Sequence, residues 1–452
     1  MKVVVFGAGL VAGAHVRYLL EHGLSVTVAS RTLSKAQELV GNDPGGQALA
    51  FDIEQEGDTG LEEIVAQHDL AVSLLPYVYH PRVARACVKH ARHMVTTSYV
   101  KDEMRALDEA ARQAGVTLLN EIGVDPGIDH MTAMKVIHRV QRSGGEITSF
   151  RSYCGGLPAP EANTNPYGYK FSWSPRGVLL AGKNAARYRQ GGQTVDIPGP
   201  ELFDHHWRVP VEIEGKTIEL EGYPNRDSLP YVDAYGIRST LTMFRGTLRY
   251  PHWCATLKAF VALGLLDETE RDLAGLSYAE FVTGLMGKRG KASRADLAAH
   301  LGLEPDSFIL DRMEWLGLLS DEALPAGVRS PLDVTTATML AKMRYAPGER
   351  DMLVLQHEFL AEYAASEAQQ KQRRQEKITS TMIDFGIPGG DSSMSRTVGL
   401  PAAIGARLIL EGVIQSRGVL VPLAPEIYTP VLEELERLGI HFSEKTETVL
   451  ED

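Results

Sequence analysis

The first residues able to do chemistry are small ones. Val3, Val4, Val5 and Phe6 form an apolar run that predicts a buried strand, and Gly7-Ala8-Gly9-Leu10-Val11-Ala12 follows at once. Residues 15–22 then carry helical spacing. A strand, a G-x-G-x-x-G/A turn and a helix form the dinucleotide-binding fingerprint. In that motif Gly7 permits the tight turn, and Gly9, lacking a Cβ, lets the backbone approach a pyrophosphate. Leu10 and Val11 complete the turn, and Ala12 allows close helix–strand packing. The helix N-terminus offers unpaired N–H groups and a positive dipole end to phosphates. Two blander readings compete: a secretory leader, which the interrupting glycines disfavour, and a strand–helix corner without a ligand.

A second predicted strand, residues 24–29, runs into Ser30-Arg31-Thr32. An NAD site places a carboxylate here for the ribose 2′-hydroxyl. Two hydroxyls and a guanidinium stand there instead. Arg31 can hold a 2′-phosphate through charge-assisted bonds, so the pattern favours NADP(H) over NAD. The alternative for Arg31 is a solvated charge at a strand end. Phe51-Asp52-Ile53 reads as the end of a third strand, with Asp52 either beside the adenine or opening a loop.

A chain of 452 residues is too long for one ordinary core, and two or three domains are expected. Net charge is −12, which argues against nucleic acid or an anionic membrane as partner. No apolar stretch reaches the roughly 18 residues of a membrane span. Three cysteines, Cys87, Cys154 and Cys254, lie far apart without CxxC spacing, which points to a reducing compartment, the cytoplasm. The 14 histidines include no HExxH, and no metal is indicated.

The elements that must position these residues are legible as alternation. Strands are predicted at 2–6, 24–29, 47–52, 69–74, 93–97 and 116–119, with helices between them, among them 81–90 and 101–114. That pattern implies an α/β, Rossmann-type doubly wound parallel sheet. After Asp125 the character changes. A helix is predicted over 129–141, then strands near 147–154, 194–197, 209–213, 216–220 and 240–249, as in an α+β domain. Apolar spacing is helical from about 254 to 346, which reads as a small helical insertion. Strands return at 352–362 and 378–385 around the polar run 369–377, read as a hairpin tip. A helix at 398–410, a strand at 418–421 and a helix at 430–438 close the chain.

Doubly wound sheets bind ligands beyond the carboxyl ends of their strands. Those ends carry Leu75, then Thr97-Ser98-Tyr99, then Val124-Asp125-Pro126-Gly127. Asp125 is the leading polar candidate for proton transfer, because Pro126-Gly127 forces a turn that fixes its direction; an Asp-Pro-Gly turn or helix cap is the alternative. Ser98 and Tyr99 share another strand end and can face a nicotinamide and its substrate. Core tyrosine is the plainer reading of Tyr99.

Longer motifs then stand out: Leu-Leu-Pro-Tyr-Val-Tyr-His at 74–80, Thr-Thr-Ser-Tyr at 96–99 and Asn-Glu-Ile-Gly-Val-Asp-Pro-Gly-Ile-Asp-His-Met at 120–131. Further on are Tyr-Cys-Gly-Gly-Leu-Pro-Ala-Pro at 153–160 and Tyr-Lys-Phe-Ser-Trp-Ser-Pro-Arg-Gly-Val-Leu at 169–179. With the glycine turn and Ser30-Arg31-Thr32, they make nearly the whole chain resemble the NADP-dependent, glutamate-forming saccharopine dehydrogenases, the saccharopine reductases. The tail beyond Ser443 has no counterpart in the resemblance.

The resemblance implies interconversion of saccharopine with glutamate and 2-aminoadipate 6-semialdehyde through an imine, in lysine metabolism, by a homodimer. It implies a nucleotide-binding part at 1–125 completed by about 390–452. A substrate and dimerisation part follows at 126–253 and 347–389, with a helical part at 254–346. Asp125, Tyr99 and Cys154 would move protons. NADP(H) would lie on Gly7, Gly9, Leu10, Val11, Ala12, Ser30, Arg31, Thr32, Asp52, Ile53, Leu75, Thr97, Ser98, Val124, Asp125, Pro126 and Ser174. Saccharopine would meet Ser98, Tyr99, Asp125, Arg226, Thr247, Leu248 and Arg249. Its three carboxylates call for cationic clamps, and guanidinium forks suit planar carboxylates. Without the resemblance, both arginines read as ordinary surface charges, and Cys154 as a small buried hydrophobe. Two other functions remain open on the sequence: a carboxynorspermidine-type dehydrogenase of polyamine synthesis, and a non-catalytic NADPH-binding protein.

Overall fold

The computed structural model describes residues 1–364 and 374–449. The chain divides into two compact units, residues 1–147 with the described residues from 361 on, and residues 148–360.

The first unit is built on a parallel sheet. Its strands are β1 (Lys2–Phe6), β2 (Ser25–Ser30), β3 (Gly46–Ala50), β4 (Leu70–Ser73), β5 (His93–Thr96), β6 (Thr117–Leu119) and the late strand Gly418–Leu420. Their spatial order is Gly418–Leu420, β6, β5, β4, β1, β2, β3. All six pairings are parallel. Val3, Val4, Val5 and Phe6 are fully buried, as a strand covered on both faces requires. Burying each such side chain contributes about 2 kcal/mol. The chain leaves β1 for β2 on one side and returns to β4 on the other, so the topological switch point lies between β1 and β4.

Helix α1 (Ala12–Glu21) follows β1. It is braced by the C-terminal helix Ser393–Leu410. A Cβ on Gly399 would stand 2.8 Å from the Val11 carbonyl oxygen, so only glycine permits this crossing. Ser395 Oγ accepts a hydrogen bond from the Ala14 N–H (3.2 Å), and His15 Nδ1 lies 3.0 Å from the Gly399 carbonyl. The C-terminal segment thus fixes the start of the helix that the glycine turn feeds.

Several details differ from the sequence reading. The predicted helix 101–114 is two short ones, Asp102–Arg105 and Asp108–Gln113; the chain tightens between them, where the Leu107 N–H bonds to the Met104 carbonyl. Strand β3 stops at Ala50, so Phe51 and Asp52 lie just beyond it. Of the polar run 369–377, residues 369–373 lie outside the described residues, and 374–377 open the strand Arg374–Phe385. The tail also folds into regular structure. Phe442–Val449 pairs antiparallel with Arg374–Phe385 as a polar, mostly exposed strand.

The second unit contains most of β7 (Gly145–Pro158), all of β8 (Ala186–Gln190), β9 (Gln193–Ile197), β10 (Trp207–Ile213), β11 (Lys216–Pro224) and β12 (Thr242–Arg249), and most of β13 (Asp351–Tyr363). The order is β10-β11-β12-β7-β13, with β8 pairing β12 and β9. The β7–β12 pair is parallel and the β10–β11–β12 pairs are antiparallel, which makes this an α+β unit. Five helices follow β12 between Trp253 and Lys342. Three begin with a capping box: Ser277 with Glu280, Ser293 with Asp296, and Ser330 with Asp333. Among the described residues no helix is long and apolar enough to cross a membrane.

Candidate active site

Because the first sheet is parallel, the segments leaving its strands at their carboxyl ends share one edge. At the switch point the Gly7 N–H bonds to the Ala29 carbonyl (2.9 Å), and the Leu74 N–H bonds to the Phe6 carbonyl (2.9 Å). Gly7 has φ +111°, and a Cβ there would stand 3.0 Å from the Leu74 carbonyl oxygen, so its role is structural. Gly9 differs. A Cβ on it would meet nothing within 4 Å. The fold does not require glycine there, whereas close approach of a pyrophosphate does. No side chain caps the N-terminus of α1, and Leu10 is exposed at its mouth.

Arg31 and Thr32 are exposed just past β2, and Ser30 Oγ accepts the Thr32 N–H (3.3 Å). No carboxylate occupies this strand end. Asp52 opens the loop after β3: its Oδ1 accepts the Glu54 N–H at 3.0 Å. Ile53 packs its side chain into the core and gives its carbonyl to Arg82 (3.1 Å). Leu75 lies half-buried against the same core.

The loops after β5 and β6 run together. The Glu121 N–H bonds to the Ser98 carbonyl (3.2 Å), and Glu121 Oε1 accepts the Val100 N–H (2.8 Å). This places Thr97, Ser98 and Tyr99 alongside Val124, Asp125 and Pro126. Tyr99 Oη donates to Asp125 Oδ1 at 2.8 Å. The turn closes through the Gly123 N–H to the Pro126 carbonyl (2.9 Å), and Asp129 Oδ1 accepts the Gly127 N–H (2.6 Å). Buried His130 lies between two carboxylates, 2.8 Å from Glu121 Oε2 and 3.6 Å from Asp129 Oδ2. The Asp125 turn therefore has a dedicated polar support. The sequence reading gives Glu121, Asp129 and His130 no role, although all three lie in the 120–131 motif.

Ser98 Oγ also lies 2.8 Å from His80 Nε2. His80 is buried, and burial pushes its imidazole down to about 4. The sequence gives it no role either, since a histidine that opens a helix has an ordinary local reading.

In the second unit, Cys154 of β7 stands in register with Thr247 of β12, which also faces Tyr223 of β11. Leu248 and Arg249 follow on the same strand. Arg249 is 5% exposed. Its guanidinium carbon sits 4.9 Å from the Tyr169 ring centre and 5.5 Å from that of Trp253. Nη1 donates to the Leu248 carbonyl (2.7 Å), while Nε is buried with no partner among the described residues. The Trp253 indole nitrogen is likewise buried with no partner among the described residues. Two unsatisfied donors, the guanidinium Nε and the neighbouring indole N–H, suit a carboxylate. Arg249 is thus no surface charge, contrary to its plain local reading. Sequence reasoning missed Tyr169 and Trp253; their signal is visible only once the aromatic cage is formed.

Arg226 is exposed on a left-handed backbone (φ +58°) two residues beyond β11. Ser174 plays a structural part, since its Oγ accepts the Gly177 N–H (3.2 Å) as N-cap of the helix Pro175–Ala181.

Comparison with known proteins identifies the family. Residues 3–119 match the family model for the saccharopine dehydrogenase NADP binding domain, and residues 123–440 match that for the saccharopine dehydrogenase C-terminal domain. The chain is 41% identical over 458 residues to a saccharopine dehydrogenase [NADP(+), L-glutamate-forming] of Schizosaccharomyces pombe, covering 98% of each. Identity to the protein so named in Pyricularia oryzae is 39%, again over 98% of each chain. A solved structure, the apo histidine-tagged saccharopine dehydrogenase (L-Glu forming) from Saccharomyces cerevisiae, superposes with a TM-score of 0.87 at 39% identity over 99% of both chains. The polyamine and scaffold readings gain no support from these relatives. A parallel dinucleotide sheet, a tyrosine–aspartate pair at its strand ends and end-to-end identity lead to one conclusion: the chain belongs to the saccharopine dehydrogenase family.

Proposed function

We propose that this chain is an NADP-dependent oxidoreductase that interconverts L-saccharopine with L-glutamate and L-2-aminoadipate 6-semialdehyde in lysine metabolism. The observation that carries this reading is identity near 40% across 98% of the chain with glutamate-forming saccharopine dehydrogenases. NADP(H) fits the first unit. The turn Gly7–Ala12 and the N-terminus of α1 take the pyrophosphate, and Ser30, Arg31 and Thr32 take the 2′-phosphate. Asp52 and Ile53 flank the adenosine. Leu75, Thr97, Ser98, Val124, Asp125 and Pro126 line the nicotinamide end, and the resemblance also assigns Ser174 to coenzyme binding.

When bound, the coenzyme supplies the hydride acceptor. The chain does the remainder. Oxidation removes a hydride from the carbon beside the secondary amine and a proton from its nitrogen. Water then adds to the resulting imine, and its collapse breaks the C–N bond to release glutamate and the semialdehyde. Asp125, oriented by the Tyr99 hydroxyl, accepts the amine proton, returns it to the imine nitrogen as water adds, and then takes a proton from the added water and delivers it to the departing amino group. Cys154 takes part in proton transfer. Arg226 and Arg249, with Thr247, Leu248 and Ser98, hold substrate carboxylates. The functional division follows the resemblance: nucleotide binding by 1–125 with 390–452, substrate binding and dimerisation by 126–253 with 347–389, and a helical part at 254–346.

We further propose a homodimer, on the family resemblance, acting in the cytoplasm, on the sparse cysteines. The test is reduction of NADP+ by the purified chain with saccharopine, followed by the near-ultraviolet absorbance of the reduced nicotinamide, against NAD+ and against carboxylated polyamines. A folded, coenzyme-binding protein without turnover of saccharopine would overturn the activity. Sedimentation at equilibrium tests the dimer.

A further inference from the structure

The motif at 74–80 ends in a histidine that the reaction does not use. His80 is the first residue of the helix His80–Lys89 and sits among three hydroxyls. Its Nδ1 lies 2.8 Å from Ser73 Oγ. Its Nε2 lies 2.8 Å from Ser98 Oγ and 3.2 Å from Thr96 Oγ1. Ser73, His80 and Thr96 are sealed from solvent, whereas Ser98 is half-buried and forms the open end of the cluster.

The proton on the imidazole can be placed by elimination. A hydroxyl has one proton to donate. Thr96 Oγ1 donates its proton to the Ser73 carbonyl at 2.9 Å. Toward His80 it can only accept. Burial keeps the ring neutral near pH 7, so a single nitrogen carries hydrogen. Were that nitrogen Nδ1, the lone pair of Nε2 would face the lone pairs of Thr96 Oγ1 in a buried site. With the hydrogen on Nε2, every group is satisfied: Nε2–H is shared by Ser98 and Thr96, and Ser73 donates to Nδ1. Ser98 Oγ is then an acceptor toward His80, and its own proton is left for a group beyond the cluster.

We propose that His80 is a positioning residue that fixes the Ser98 hydroxyl as a hydrogen-bond donor to an acceptor oxygen of the substrate, a carboxylate in saccharopine. This rests on the reading above that Ser98 lines the reacting site. His80 does not itself touch the substrate. Its effect is to remove the alternative in which Ser98 turns inward and presents a lone pair to an anionic ligand.

The test is a double-mutant cycle on kcat/KM for saccharopine. In His80→Gln the side-chain amide can still donate to Ser98; in His80→Glu the carboxylate can only accept and reverses the hydroxyl. Expected results are a loss of about tenfold or more for His80→Glu, a similar loss for Ser98→Ala, and a loss within about threefold for His80→Gln. The His80→Glu/Ser98→Ala double variant should be no worse than Ser98→Ala alone, and the KM for saccharopine should rise more than that for NADP+. Multiplying losses in the double variant, a Gln variant as poor as the Glu variant, or a loss falling mainly on NADP+ would overturn the proposal. A Ser98→Ala enzyme of full kcat/KM would instead remove Ser98 from the site and overturn the underlying reading as well. If buried substitutions prevent folding, long-range proton–nitrogen spectra of the unsubstituted chain labelled with 15N-histidine read the tautomer directly. Hydrogen on Nε2 is expected, and hydrogen on Nδ1 would overturn the assignment.

Discussion

Tyr99 Oη donates a 2.8 Å hydrogen bond to Asp125 Oδ1, tying the end of β5 to the loop after β6. Both residues sit just past strand ends of the same parallel sheet, the edge at which doubly wound sheets bind ligands. Asp125→Asn keeps the shape but removes the proton acceptor, and should lower kcat/KM for saccharopine by about 10²- to 10³-fold. Tyr99→Phe leaves the carboxylate in place with one fewer anchor and should cost about tenfold. Steady-state kinetics with matched thermal melts check this. An Asp125→Asn enzyme as active as the parent would reassign the base.

Gly9 and Gly7 make opposite demands. A Cβ on Gly9 meets open space, whereas one on Gly7 runs into the Leu74 carbonyl. Gly9→Ala should therefore fold as well as the parent yet bind NADPH about 10- to 100-fold more weakly, a loss of about 1.4–2.8 kcal/mol. Fluorescence titration of NADPH together with urea unfolding separates the two effects. Unchanged affinity would mean that no pyrophosphate comes close to this turn.

Arg31 stands where an NAD site carries an acid. Removing its guanidinium in Arg31→Ala should raise the KM for NADP+ by about 10- to 100-fold, while that for NAD+ moves little. The ratio of kcat/KM for the two coenzymes is the readout. An equal loss on both would show that Arg31 is no 2′-phosphate ligand.

The Arg249 guanidinium lies against the rings of Tyr169 and Trp253, and its Nε has no partner among the described residues. Lysine retains the charge but neither stacks nor forks. Arg249→Lys should raise the KM for saccharopine by about 30- to 1,000-fold, the range expected when a buried charge partner is lost. The KM for NADP+ should hold. Comparable losses on both substrates would point to a collapsed cage rather than a missing clamp.

What the sequence could show depended on how local the cause was. The β1–turn–α1 unit was legible because its signal is an apolar run with glycines at fixed offsets. Asp125 was legible because Pro126 and Gly127 mark a turn at a strand end. The brace between Gly399 and α1 was not, since it joins residues 384 apart and a mid-helix glycine carries no local label. The strand Phe442–Val449 lacks apolar alternation because most of its residues are exposed. Arg249 looks like any surface arginine until strand pairing and the Trp253 helix bring aromatic rings against it. The family resemblance supplied Arg249 as a candidate site residue, but not the aromatic rings packed against it.

Two buried histidines set the acid limit of the first unit. Burial pushes both His15 and His80 down to about 4, against an ordinary value of 6.5. His68, His93 and His138 are shifted in the same direction, also by burial. Between these values the unfolded chain binds protons that the folded chain refuses, so stability rises with pH across the window and falls as pH drops from 6.5 toward 4. The loss for His15 or His80 approaches about 3 kcal/mol below the folded value. Carboxylates held low, such as Asp267 at about 2, lose their contribution only below about pH 5, at the acid end of this window. The urea midpoint should therefore drop between about pH 7 and about pH 5, and His15→Gln should flatten the slope even if it lowers the midpoint at neutral pH. A parent protein with equal midpoints at both pH values would mean that these imidazoles are protonated in the folded state, and that the contact between His15 Nδ1 and the Gly399 carbonyl does not depend on a neutral ring.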